Sequence, residues 1–167
     1  MAGPRLLGRV PQEPGTCAAL HLVESRGVSY RKAAIRHYRA EDESLLFSLA
    51  RESFGERPAW SDSQTLGALE TDTVFVAELE GTPAGYVAVE PVADALRIDQ
   101  LFVSGRHEGE GVGRQLLEYA EGFAISKGAA RLEVVVEGDN RRARDFYRGR
   151  GFVPTGEDLL ELTLPQR

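Results

Sequence analysis

The run LRIDQLFVSGRHEGEGVGRQLLEYAEGF, residues 96–123, constrains the fold more than any other part of the chain. It opens as a β-rich strand over residues 96–103 and turns through Gly109, Gly111 and Gly113. It continues with Val112, Leu116, Leu117, Ala120, Phe123 and Ala124 at the spacing of one helical face, up to a stop at Gly128. A strand handed to a helix by a glycine turn requires a sheet with that helix packed on it. The three glycines admit positive φ and let a ligand approach the backbone. The first N–H groups of the helix lack partners within it, and the helix dipole places about half a positive charge at the same end. The join is therefore suited to phosphate or pyrophosphate. Glu108 and Glu110 stand inside it, odd company for an anion. Two phosphate motifs are excluded by spacing. A P-loop needs Lys and Ser/Thr after its last glycine, where Arg114 and Gln115 stand. A dinucleotide fingerprint needs Gly-x-Gly-x-x-Gly.

The rest of the chain supplies the sheet. AAIRHYRA, residues 33–40, reads as a first strand; residues 41–55 place Leu45, Leu46, Leu49, Ala50 and Phe54 on one helical face. Ser61 three residues before Gln64 forms a capping-box pattern for a short second helix. Residues 73–91 read as a hairpin around GTP, and RLEVVVE as a buried strand. Asn140 opens a short helix, and LLELTLP is a closing strand. The expected order is β α α β β β α β α β, an α/β or α+β fold. Residues 31–167 form one domain, and residues 1–30, with Pro4, Pro11 and Pro14, are expected to be a partly disordered extension.

Charge and composition narrow the function. Residues 1–40 hold seven Lys/Arg and two Asp/Glu, a balance of +5, so the overall −6 leaves −11 on residues 41–167. Such an acidic domain is a poor binder of nucleic acid and attracts cationic partners such as amines. No apolar run approaches the roughly 20 residues of a membrane helix. The single cysteine, Cys17, excludes an internal disulfide and leans towards a reducing cytoplasm. His21, His37 and His107 are too scattered to suggest a metal site.

Residues 101–121, LFVSGRHEGEGVGRQLLEYAE, resemble the acetyl-CoA-binding segment of the GNAT superfamily of N-acetyltransferases: a strand ending in Val, about four linking residues, then Arg/Gln-x-x-Gly-x-Gly/Ala and a helix. DNRRARDFYRGRGF resembles that family's second segment, Asn-x-x-Ala-x-x-x-Tyr followed by Gly-Phe, in the same order and at a similar separation. The resemblance spans residues 31–167. It implies a central mixed, mostly antiparallel sheet with helices on both faces, and transfer of acetyl from acetyl-CoA to a primary amine. By position it implies that Leu101, Phe102 and Val103 offer backbone groups to the pantetheine arm and acetyl carbonyl. Gly109, Glu110, Gly111, Val112, Gly113 and Arg114 would cradle the pyrophosphate, Asn140 would bind cofactor and cap its helix, and Tyr147 would protonate the departing thiolate. A homodimer is one assembly left open.

The chain departs from the family pattern in places. Glu108 replaces the usual Arg/Gln, and Glu110 a commonly basic residue. Both carboxylates are expected to point to solvent, offset by Arg106 and Arg114, while the backbone binds. His107 is expected to face solvent. The ribosomal-protein alanine acetyltransferases of this family carry a Glu five residues before the motif Asn, where this chain has Val135, so that branch is not supported. Glu90, Asp99 and Glu137 are the carboxylates considered as general base, Asp99 by sharing a strand face with Leu101 and Val103. Trp60 is considered as a lining residue of the acceptor groove. The rival reading is a non-catalytic acyl-CoA-binding module. A third is a phosphate-binding domain indifferent to the pantetheine arm.

Overall fold

The computed structural model describes residues 31–54 and 72–166, with the side chains of residues 53 and 54 left undescribed. The second helix expected from Ser61, and Trp60, lie outside these residues, as does the amino-terminal extension. The elements are β1 (Ala34–His37), a 3-10 turn (Ala40–Asp42), α1 (Glu43–Phe54), β2 (Thr73–Leu79), β3 (Thr82–Val92), β4 (Ala95–Val103), a 3-10 turn (Gly105–His107), α2 (Val112–Ser126), β5 (Arg131–Val135), α3 (Arg141–Gly149), β6 (Val153–Pro154) and β7 (Leu159–Thr163). They build one seven-stranded sheet in the order β1-β2-β3-β4-β5-β7-β6. Only β4 and β5 pair in parallel; the other neighbours are antiparallel. The mixed, mostly antiparallel sheet is as expected. The two-residue strand β6 was not anticipated, being too short to carry a period.

Strand alternation sorts the core into two layers. Val74, Val76, Tyr86, Ala88 and Phe102 face Leu46, Leu49 and Ala50 of α1. Phe75, Ala77, Val87, Val89, Leu101 and Val103 face the other way, into a cluster with Val112, Leu116, Leu117, Ala120 and Ala124 of α2 and Ala143, Phe146 and Tyr147 of α3. Phe123, only half-buried, completes the α2 face by packing edge-on against Phe75 at 5.0 Å. Helices thus cover both faces, as an amphipathic stripe on each demands. The helix α2 ends where its sequence says it should: Gly128 adopts φ +73°, Gly128 N–H donates to Ile125 O and Ala129 N–H to Ala124 O, both at 3.0 Å, the Schellman arrangement. Gly85, opposite Val103, keeps β3 close to this layer, since a Cβ there would lie 2.5 Å from Phe102 O and 3.3 Å from a Leu116 methyl.

Two irregularities in β4 position everything that follows. Ala88 pairs with Gln100 but Val89 with Ile98, so Asp99 is an extra residue, a β-bulge. On the other edge, pairing with β5 runs only from Ala95↔Arg131 to Ile98↔Val134. From Asp99 onward the two parallel strands part.

Candidate active site

The parting of β4 from β5 leaves backbone groups facing a gap. Ser104 N–H donates to Ala84 O at 2.8 Å, which turns position 104 towards β3. N–H groups alternate in direction along a strand, so Phe102 also bonds towards β3 while Leu101 and Val103 point their amides towards the β5 side. Among the described residues, no β5 residue pairs with them there.

The same gap opens onto the start of α2. Gly109 and Gly111 adopt φ +76° and +82°, the left-handed conformation that glycine enters without strain. Gly113 does not use that freedom: it is buried in the first helical turn with an ordinary negative φ. Gly111 caps α2 without a side-chain hydrogen bond, and the first intrahelical bond is Gln115 N–H to Gly111 O at 3.1 Å. The amides of Val112 and Gly113 precede it, and no acidic residue stands in the first turn. Such a terminus favours an anion by both hydrogen bonding and dipole. The approach to it is braced from α1, where Glu52 Oε1 accepts from Gly105 N–H at 2.7 Å.

The second segment lies beyond the end of β5. Asn140 is buried, and its Oδ1 accepts from Ala143 N–H at 3.2 Å, so its capping role is real. Tyr147 is fully buried, its ring edge-on to Phe146 and Phe152, each at 5.2 Å. It belongs to the same apolar cluster as Leu101 and Val103 of β4, Val134 of β5 and Val136 just after it.

The family model described as "Acetyltransferase (GNAT) family" matches residues 33–152, which contain the gap, the glycine turn, Asn140 and Tyr147. The chain belongs to the GNAT acetyltransferase family. Mycothiol acetyltransferase of Jonesia denitrificans is 38% identical to it over 69 residues, 41% of this chain and 22% of that protein. Streptothricin acetyltransferase of Streptomyces lavendulae is 35% identical over 100 residues, 59% of this chain and 49% of that protein. The GNAT chain therefore spans half or less of these curated relatives. Among solved structures, the PaiA N-acetyltransferase of Thermoplasma acidophilum in complex with coenzyme A has a TM-score of 0.69 at 21% identity, covering 79% of this chain and 99% of its own. A GNAT family acetyltransferase of Brucella melitensis in complex with acetyl-CoA has a TM-score of 0.62 at 19% identity, covering 83% and 92%. At these identities the likeness is one of fold.

Within this GNAT domain the acids of the glycine turn are placed differently from expectation. Glu110 does not point freely to solvent. Its Oε2 lies 3.0 Å from His107 Nδ1 and its two oxygens each 3.4 Å from Arg31 Nη1. Arg114, expected to offset it, pairs with Glu118 at 2.9 Å. His107 is only 19% exposed, against the expectation of a solvent-facing ring. Glu108 is half-buried and, among the described residues, has no hydrogen bond or ion pair.

The carboxylates considered as general base divide. Oxygens of Asp72, Glu90 and Asp99 all lie within 4.8 Å of one another; Glu137 is not among them. Alternation puts Asp72 and Glu90 on the α1 face of the sheet, with Val74 and Ala88. The bulge brings Asp99 to them, away from Leu101 and Val103, and so overturns the shared face expected from simple alternation. Asp99 is only 2% exposed. Tyr86 lies on the same face, where burial raises its hydroxyl well above the usual phenol range. It stays protonated and donates to Gln100 Oε1 at 2.6 Å. Three acids this close concentrate negative charge, so the cluster attracts a cation. Asp72 was not singled out in the sequence. The signal was present but indirect: it precedes a strand whose partner carries Glu90. No described helix is long and apolar enough to cross a membrane.

Proposed function

We propose that this chain moves the acetyl group of acetyl-CoA to a primary amine by direct attack in a ternary complex. The observation that carries this reading is the gap where β4 leaves β5, because it opens both onto inward-facing strand amides and onto an uncapped helix start. The pantetheine arm would lie along Leu101 and Val103. The amides of Gly109, Gly111, Val112, Gly113 and Arg114 would hold the diphosphate, with Asn140 beside it and Glu110, whose own N–H faces His107 O at 3.4 Å, within the same turn. A strand amide aimed into the gap donates to the oxyanion that forms as the amine attacks the carbonyl. Tyr147 gives its proton to the departing thiolate.

The amine must first become neutral. For a lysine-like amine at pH 7 this costs about 4.6 kcal/mol, and for an α-amine only about 1 kcal/mol. The Asp72, Glu90 and Asp99 carboxylates supply what that step needs, an attraction for the ammonium and an acceptor for its proton. Together with the acidic balance of residues 41–167, they favour a cationic acceptor: a polyamine, an aminoglycoside-like amine, or a protein lysine or amino terminus. The same balance argues against nucleic acid, and the lone Cys17 favours a reducing, cytoplasmic setting.

Thiol release from acetyl-CoA over a panel of amines tests the reading. The wild type is expected to turn over. Tyr147→Phe should lower kcat by about a hundredfold or more while acetyl-CoA still binds. Asp99→Asn should lose most activity on amines of high pKa and least on α-amines. Saturable acetyl-CoA binding without turnover on any amine would instead establish the non-catalytic module.

A further inference from the structure

Glu110 carries a negative charge into the turn that would grip a diphosphate, and pure electrostatics makes it an obstacle. Its surroundings point the other way. A carboxylate only accepts hydrogen bonds, so the 3.0 Å contact with His107 Nδ1 requires the proton on that nitrogen, and the ring donates. The backbone closes the same turn, with Glu110 N–H facing His107 O at 3.4 Å. From the other side Arg31 reaches both oxygens of Glu110 with Nη1, while its Nη2 pairs with Glu80 in the β2–β3 turn at 3.1 Å. Arg31 is itself held in place by Gln115. The amide oxygen of Gln115 accepts from Ala33 N–H at 2.8 Å, and its nitrogen donates to Arg31 O at 2.9 Å and to Gly111 O at 3.2 Å. The segment entering β1, the first turn of α2 and the glycine turn are thus fastened to one another through two side chains, Gln115 and Glu110.

We infer that Glu110 is a positioning residue for acetyl-CoA: bridged between His107 and Arg31, its carboxylate holds the turn so that its amides face the diphosphate. This rests on the acetyltransfer reading above. Arg31, which also pairs with Glu80, offsets part of the charge of Glu110, and both groups that touch Glu110 fix its position. Its loss releases both groups and leaves the left-handed Gly109 and Gly111 free to relax.

Glu110→Gln separates the two accounts, because it keeps the shape and deletes the charge. Repulsion predicts tighter binding, the brace weaker binding. The expected result is a Kd for acetyl-CoA, by calorimetric titration, raised about threefold or more. In steady state the acetyl-CoA KM should rise while kcat and the amine KM hold, a split that general destabilisation would not give. Arg31→Ala should do the same, and combining it with Glu110→Gln should add little, as expected of residues acting as one unit. Amide exchange at residues 109–113 in the ligand-free protein, measured under native conditions, should be faster in Glu110→Gln. Wild-type or tighter binding by a folded Glu110→Gln protein overturns the inference. So do additive effects in the pair, or unchanged exchange. If the wild type fails to bind acetyl-CoA, the acetyltransfer reading falls instead, and the exchange measurement still decides whether the brace exists.

Discussion

Glu108 and Glu110 stand two residues apart with equal charge, yet their surroundings give them different meanings. Glu108 has no ion pair among the described residues, so no direct contact there offsets its charge near the turn. Glu108→Gln should therefore tighten acetyl-CoA binding by about threefold at low ionic strength, with the gain shrinking as salt is added. A titration at two salt concentrations reads this, and an unchanged affinity at low salt would refute the electrostatic part. At this scale the sequence marks residues well where a role needs one chemical type at one spacing. Asn140 caps α3 because an amide oxygen is needed ahead of Ala143, and its place in the chain says so. The sequence marks Glu110 as an acid in the turn but not its bridge to Arg31, which lies 79 residues away and is brought to it only by the folded chain.

Among the described elements, β1 is one edge of the sheet, and ion pairs add to its pairing with β2. Arg36 on β1 donates to both oxygens of Asp42 at 2.8 Å and to Glu78 of β2 at 2.6 Å, and Asp42 also accepts from Arg39 N–H at 2.8 Å. The Arg36 guanidinium holds the Asp42 carboxyl below its usual range even though burial opposes this. A folded-state value below the unfolded one means that the bond stabilises the protein above about pH 4 and loses that effect as pH falls through the folded value. Asp42→Asn should cost about 2 kcal/mol or more at pH 7 and markedly less at pH 3. Chemical denaturation at both pH values measures it, and a penalty independent of pH would show that charge is not what anchors β1. The strand–turn–helix join was legible here because glycine positions and helical spacing are local. The bulge at Asp99 was not: β-bulges leave no period of their own, and this one shifts Asp99 off the face that alternation assigns it. The gathering of Asp72, Glu90 and Asp99 was illegible for the same reason.

For the whole molecule, the chain order of strands was readable but not their order in the sheet. That β5 lies between β4 and β7, and that it leaves β4 after four residue pairs, depends on how α2 spans the layer and on no single stretch of sequence. If acetyl-CoA fills the gap, it binds the folded state alone. At a hundredfold excess over Kd it should contribute about 2.7 kcal/mol, a rise in Tm of roughly 5–10 °C for a domain of this size. Nucleotides lacking the pantetheine arm should give a smaller rise. Thermal melts with each ligand check this, and equal shifts would favour the phosphate-binding reading.

Those four residue pairs are also the main weld between two half-sheets, a four-stranded meander on one side and β5, β7 and β6 on the other. Held at one end and open at the other, the halves are the jaws of a peg. Whatever lodges between them touches both, so occupancy and mechanical cohesion must rise together, and an empty molecule should yield along this line before it yields anywhere within either half.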